Sequence, residues 1–262
     1  MIIYCDGDSY VAGSELGDIL LPDHPGFVPI GIPNHIERER YSWTRRTYGN
    51  GDLSFMRKQL FNEIKKLEKE KAFPNKIAKK LNVEVINAAV GGSSMDSIIR
   101  RTLSNLITLK DKDNVVAFIS TTDPWRFELP SLNDTNSPWT CVTVDSKDEQ
   151  VAEVVKYMIS SNKNYHSLIR YYKNIISIQD FCKVNNIKLF FLDRNITNKI
   201  ESEFENHEDY INLKKYANFK VDLDMSQEKI RTIFKTENII CPGHHYNENV
   251  HEYIANELIK LL

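Results

Sequence analysis

A chain of 262 residues that is 41% hydrophobic, with a formal charge of -2, has enough apolar material for an ordinary globular core. Its pI near 6.4 excludes a broadly basic nucleic-acid surface, because such binding draws its affinity from clustered Lys and Arg on phosphates. No apolar run approaches the roughly 20 residues that span a bilayer. The N-terminus is a strand bearing Asp6 and Asp8, where a leader would be basic. The expectation is therefore a cytoplasmic protein with no nucleic-acid or membrane partner. Cys5, Cys141, Cys182 and Cys241 are far apart and form no CxxC pair, which fits reduced thiols.

The chain opens with an apolar run of strand length, Met1 to Cys5, ended by Asp6-Gly7-Asp8 with Ser9 on the turn. Leu20 to about Leu53 is rich in Gly and Pro, with Trp43 and Tyr48, and reads as a long loop or lid. Phe55 to Lys71 places Met56, Leu60, Ile64 and Leu67 at helical spacing, and Phe73 to Leu81 makes a second short helix. Val83 to Ala88 reads as a second strand, followed by the turn Val90-Gly91-Gly92-Ser93-Ser94 and a helix from Met95 to Leu109. Asn114 to Ser120 is a buried third strand ending in Thr121-Thr122-Asp123-Pro124-Trp125-Arg126. Segment 127 to 148 is irregular, with a short hairpin around Trp139 to Val144. Val151 to Asn185 is helical with a break near 160 to 164, and Ile187 to Asp193 is a fourth strand. Residues 194 to 235 hold helical pieces and a fifth strand at Phe219 to Leu223, and Asn249 to Leu262 is a closing helix.

Strands alternating with helices predict one parallel sheet covered by helices, with ligands at the carboxyl ends of the strands. Ser9, Gly92, Thr122 and Asp123 all fall at such ends, although more than a hundred residues separate the first from the last. A serine on this turn is a candidate nucleophile, and Asp8 or Ser9 is equally a candidate helix cap. A serine nucleophile needs a base and preorganised donors for the oxyanion it creates. The candidate base lies in the run into the last helix, His244-His245-Tyr246-Asn247-Glu248-Asn249-Val250-His251, where any of three histidines could serve. Arg126 has the planar fork that clamps a carboxylate or phosphate, or it pairs with Glu128 or Asp123.

Taken together, Gly7-Asp8-Ser9, the turn Asn87 to Ser94, the third-strand end and the His loop resemble the SGNH (GDSL) hydrolases. The resemblance implies a flavodoxin-like three-layer α/β/α sandwich with a mostly parallel central sheet. It spans 1–262 as a single domain with insertions at about 20–72 and 127–180. It also implies an esterase or deacetylase acting on an acyl ester of a carbohydrate or small metabolite, with no metal or other cofactor. Matched by position, Ser9 is the nucleophile and His245 the base, with His244 one register step away. Ser9, Gly92 and Thr122 form the oxyanion hole, and Asp8, Asp123, Arg126 and His244 are the substrate-side candidates. Two positions depart from the family pattern: Thr122 stands where that family has its oxyanion Asn, and Pro242 where it has the Asp that orients the His.

Two rival readings use the same residues. The opening Ile2 to Ser9 also resembles the first motif of haloacid-dehalogenase-type phosphotransferases, with Asp6 as nucleophile, Asp8 as acid/base and Mg²⁺ held by carboxylates. The departures at Thr122 and Pro242 fit an altered binding or acyl-transfer module that kept the crevice and changed its work.

Overall fold

The computed structural model describes residues 1–14, 16, 55–130, 139–142, 163–193, 206–235, 239 and 245–262. Side chains are described for these except at 55–61, 130, 140–142 and 163–164. The expected loop at 20 to 53, the stretch 151 to 162, Pro242 and His244 lie outside them.

Among the described residues five strands form the main sheet: β1 (Ile2–Asp6), β2 (Glu84–Asn87), β3 (Val115–Ser120), β6 (Lys188–Asp193) and β7 (Leu223–Asp224), in the order β2-β1-β3-β6-β7. All neighbours in it are parallel. Ranked along the chain, that order is 2-1-3-4-5, the flavodoxin-like doubly wound arrangement, whose switch point lies between β1 and β3. A separate antiparallel hairpin joins β4 (Phe127–Pro130) to β5 (Trp139–Val142).

The alternation of side chains along the strands creates two cores. Tyr4, Ala117, Ile119 and Phe191 face α4 (Met95–Thr108), α5 (Lys163–Val184) and α6 (Glu208–Ala217). Ile3, Cys5, Val116, Phe118 and Leu192 face α3 (Phe73–Leu81), α7 (Gln227–Phe234) and α8 (Glu248–Ile259). Every residue of β3 is buried, as expected of a strand covered on both faces and paired on both edges. α2 (Phe55–Lys71) precedes α3, and α1 (Ser9–Ala12) is a single turn between β1 and the glycine Gly13, which closes it at φ +75°. Among the described residues no helix is long and apolar enough to cross a membrane.

Two elements differ from the sequence reading. The fifth strand is two residues long and starts at Leu223: Asn218 closes α6 in a left-handed conformation, and Asp222 meets β6 through its N–H on the Phe191 carbonyl (2.9 Å) while its carboxylate, where a strand carbonyl would stand, accepts from Phe191 N (2.8 Å). The hairpin partner of Trp139 to Val142 is Phe127–Pro130, directly after the third-strand turn. Cys5 and Cys182 are buried free thiols. Burial alone pushes Cys182 up to about 12.

Candidate active site

The first turn is built by Asp8. Its backbone is extended, and its Oδ1 accepts from Tyr10 N (3.1 Å), so Asp8 is the N-cap of α1 and Ser9 is the first helical residue. Ser9 is half-buried, and among the described residues its Oγ makes no hydrogen bond. Because Asp8 does the capping, the Ser9 hydroxyl is not spent on it.

Asp8 is itself fully buried. Its Oδ2 accepts from Thr122 Oγ1 (3.2 Å), and Arg126 Nη1 lies 3.6 Å away. Thr122, just beyond the end of β3, is 1% exposed, and its hydroxyl hydrogen points at Asp8. Asp123 shapes the next turn: its Oδ1 accepts from Trp125 N (2.9 Å) and its carbonyl from Arg126 N (3.1 Å). Arg170 on α5 clamps the same turn from outside through the carbonyls of Pro124 (2.8 Å) and Arg126 (2.9 Å). Arg126 therefore pairs with Asp8, whereas Glu128 is taken by Arg100 (2.7 and 3.1 Å) and Ser97 (2.5 Å).

The second turn comes up against the first. The β1–β2 register sets Cys5 opposite Asn87, and Ala88 N and Val90 N then donate to the carbonyls of Cys5 (2.8 Å) and Gly7 (3.3 Å). A Cβ on Gly91 would sit 3.6 Å from Ser9 Cβ, so Gly91 is the residue that abuts the serine. Gly92, the residue singled out by sequence, follows at φ +78° with open space around it. Among the described residues the N–H groups of Ser9, Gly91 and Gly92 have no protein acceptor. Sequence reasoning missed Gly91 because only the packing of one turn on the other tells the two glycines apart. It also missed Ser14, whose Oγ lies 3.6 Å from the same Gly91 position.

The His loop arrives from the other face of the sheet. Asn247 caps α8 through Val250 N (3.1 Å), and Tyr246 is fully buried with its hydroxyl on the Met225 carbonyl. These two anchors present His245 beside Tyr10, the residue after Ser9, with ring centroids 5.2 Å apart. No hydrogen bond joins Ser9 Oγ to His245. His251 does different work: fully buried in α8, it accepts from Phe73 N through Nδ1 (3.2 Å), and so caps α3 from a neighbouring helix. Burial, with Lys76 and His245 nearby, holds its imidazole down at about 3.

Asp6 points away from this crevice, under α4. Oδ1 accepts from Gly7 N (2.7 Å) and Arg101 Nη2 (2.6 Å), and Oδ2 from Tyr4 Oη and Thr102 Oγ1 (both 3.2 Å). Burial outweighs Arg101 and pushes the carboxyl up to about 6. Asp193 likewise bonds Thr121 Oγ1. Among the described residues no cluster of His, Cys, Asp and Glu is arranged to hold a metal ion.

No family model and no curated protein matches the chain. Among solved structures, a G-D-S-L lipolytic family member from Veillonella parvula DSM 2008 is similar at 12% identity and TM-score 0.45, covering 100% of this chain and 98% of that one. The psychrotrophic esterase EstA from Pseudoalteromonas sp. is similar at 10% identity and TM-score 0.46, covering 99% and 94%. A carbohydrate esterase is similar at 12% identity and TM-score 0.43, covering 99% of this chain and 63% of that one. The chain is thus similar along its length to lipolytic and esterase structures, while its own strand order and register define it as a flavodoxin-like α/β/α sandwich.

Proposed function

We propose that the protein is a serine-dependent hydrolase of the SGNH type, acting on an acyl ester of a carbohydrate or small metabolite. The observation that carries this reading is Ser9 itself. It stands at the first position of a helix at the switch point of the sheet, with Asp8 doing the capping and with the amides of Ser9, Gly91 and Gly92 alongside, which have no protein acceptor among the described residues.

In this reading Ser9 Oγ attacks the acyl carbon while His245 takes its proton. The carbonyl oxygen becomes an oxyanion held by the Ser9 and Gly91–Gly92 amides. Collapse expels the alkoxide, which leaves with the proton from His245, and water repeats the sequence to release the acid. Thr122 enters through Asp8: a hydroxyl has one hydrogen, and that of Thr122 is already on a carboxylate. The oxyanion hole is then formed by backbone alone, and a missing side-chain donor costs about 2.7 to 4 kcal/mol of transition-state stabilisation. Arg126, 27% exposed on its side chain, carries charge to the crevice edge, where it would meet an anionic group on the substrate. A phosphotransferase using Asp6 has no geometric support, since both oxygens of that buried carboxylate are bound and face α4.

A fluorophosphonate probe tests the proposal. Labelling of the intact protein at Ser9, abolished in Ser9→Ala and strongly slowed in His245→Ala, is the expected result. Absence of labelling would favour a binding module instead, a reading encouraged by the lack of a Ser9–His245 hydrogen bond.

A further inference from the structure

Gly7, two residues ahead of Ser9, is held through both of its backbone polar groups. The carbonyl of Gly7 accepts from Val90 N (3.3 Å) and from Arg101 Nη2 (3.3 Å), and its N–H donates to Asp6 Oδ1 (2.7 Å). The same Arg101 nitrogen also donates to Asp6 Oδ1 (2.6 Å). Asp6 is braced in turn by Thr102 and by Tyr4, whose hydroxyl accepts from Asn105 (3.3 Å). Arg101, Thr102 and Asn105 all belong to α4, the helix that leads out of the Gly91–Gly92 turn. One side chain therefore ties the turn carrying Ser9 to the helix that follows the Gly91–Gly92 turn.

We infer that Arg101 is a positioning residue for the Ser9 site: by gripping Asp6 and the Gly7 carbonyl together, it fixes how far Ser9 stands from the Gly91 and Gly92 amides. The inference rests on the hydrolase reading above. Burial of Asp6 outweighs the attraction of Arg101, so its acid is harder to ionise here than in water, and the pair is poorly explained as a stabilising device. A geometric role accounts for it. A misplacement of about 1 Å between reacting groups costs on the order of 10²-fold in rate, and this grip acts on the peptide that sets that spacing.

The test measures fluorophosphonate labelling of the full chain over a range of probe concentrations, separating the maximal rate from the half-saturating concentration. Thermal midpoints are recorded in parallel. Arg101→Met is expected to lower the maximal labelling rate on the order of 10²-fold with little change in half-saturation, and Arg101→Lys to recover part of the loss. If Arg101→Met does not fold, the near-isosteric Asp6→Asn decides by the same separation. A wild-type maximal rate in the folded variant would overturn the inference alone, as would equal losses in the Met and Lys variants that merely follow their thermal midpoints. Failure of the wild type itself to label at Ser9 would overturn the hydrolase reading, and the inference with it.

Discussion

Two buried titratable residues oppose each other in their effect on stability. Asp6 is raised to about 6 by burial, so the folded state holds its proton where the unfolded chain has lost it. Its contribution is complete below the unfolded value of 3.8 and is lost as pH rises through about 6. His251 is lowered from 6.5 to about 3, so its contribution is present above 6.5 and is lost as pH falls. Each slope is about 1.4 kcal/mol per pH unit, and between pH 4 and 6 the two nearly cancel. Urea unfolding should therefore show Asp6→Asn losing stability steeply as pH falls from 6 to 4. His251→Asn, which keeps an acceptor for Phe73 N, should gain stability over the same range. Parallel pH profiles for wild type and both variants would refute these assignments. The two residues were not equally legible. His251 read as one of three interchangeable histidines, because nothing local says that its partner is an amide 178 residues away.

The turns after β1 and β2 both contain glycine, for different reasons. A Cβ on Gly7 would overlap Val11 Cγ2 and stand 2.8 Å from Ser120 Cβ, so the first turn needs glycine for space. Gly92 has open space but φ +78°, so the second needs it for backbone freedom. Gly7→Ala should cost about 1 to 3 kcal/mol by overpacking, more if β3 cannot yield, and Gly92→Ala about 1 to 2 from the left-handed backbone. Calorimetry on the two variants checks the ranking, and a larger loss at Gly92 would contradict it. Helices were the most readable elements. Phe55–Lys71 and Phe73–Leu81 have their expected bounds, since their apolar spacing matches the helical repeat. The fifth strand shifted because its start is marked by the Phe191 N–H donating to the Asp222 carboxylate, a side-chain bond that leaves no mark in hydropathy.

Across the molecule, protection should follow position in the sheet. β3 is buried throughout and β1 is paired on both sides, whereas among the described residues β2 and the two-residue β7 are edges. Hydrogen exchange is expected to be slowest at Val116–Ile119, faster at Val85 and Ile86, and fastest at Leu223–Asp224. Early exchange of β3 would mean that the sheet opens through its centre. The sequence by itself determined the alternation of strands and helices, the parallel sheet, and the placing of Ser9, Gly92 and Thr122 at strand ends, because period and turn chemistry are local properties. Only the tertiary structure decided which neighbour each polar group meets. It set Asp8 as the cap and as the partner of Thr122 and Arg126, Gly91 as the residue against Ser9, and Arg101 as the tie between two turns. Those pairings join residues far apart in the chain, and they follow from strand register and helix packing, which no single segment encodes.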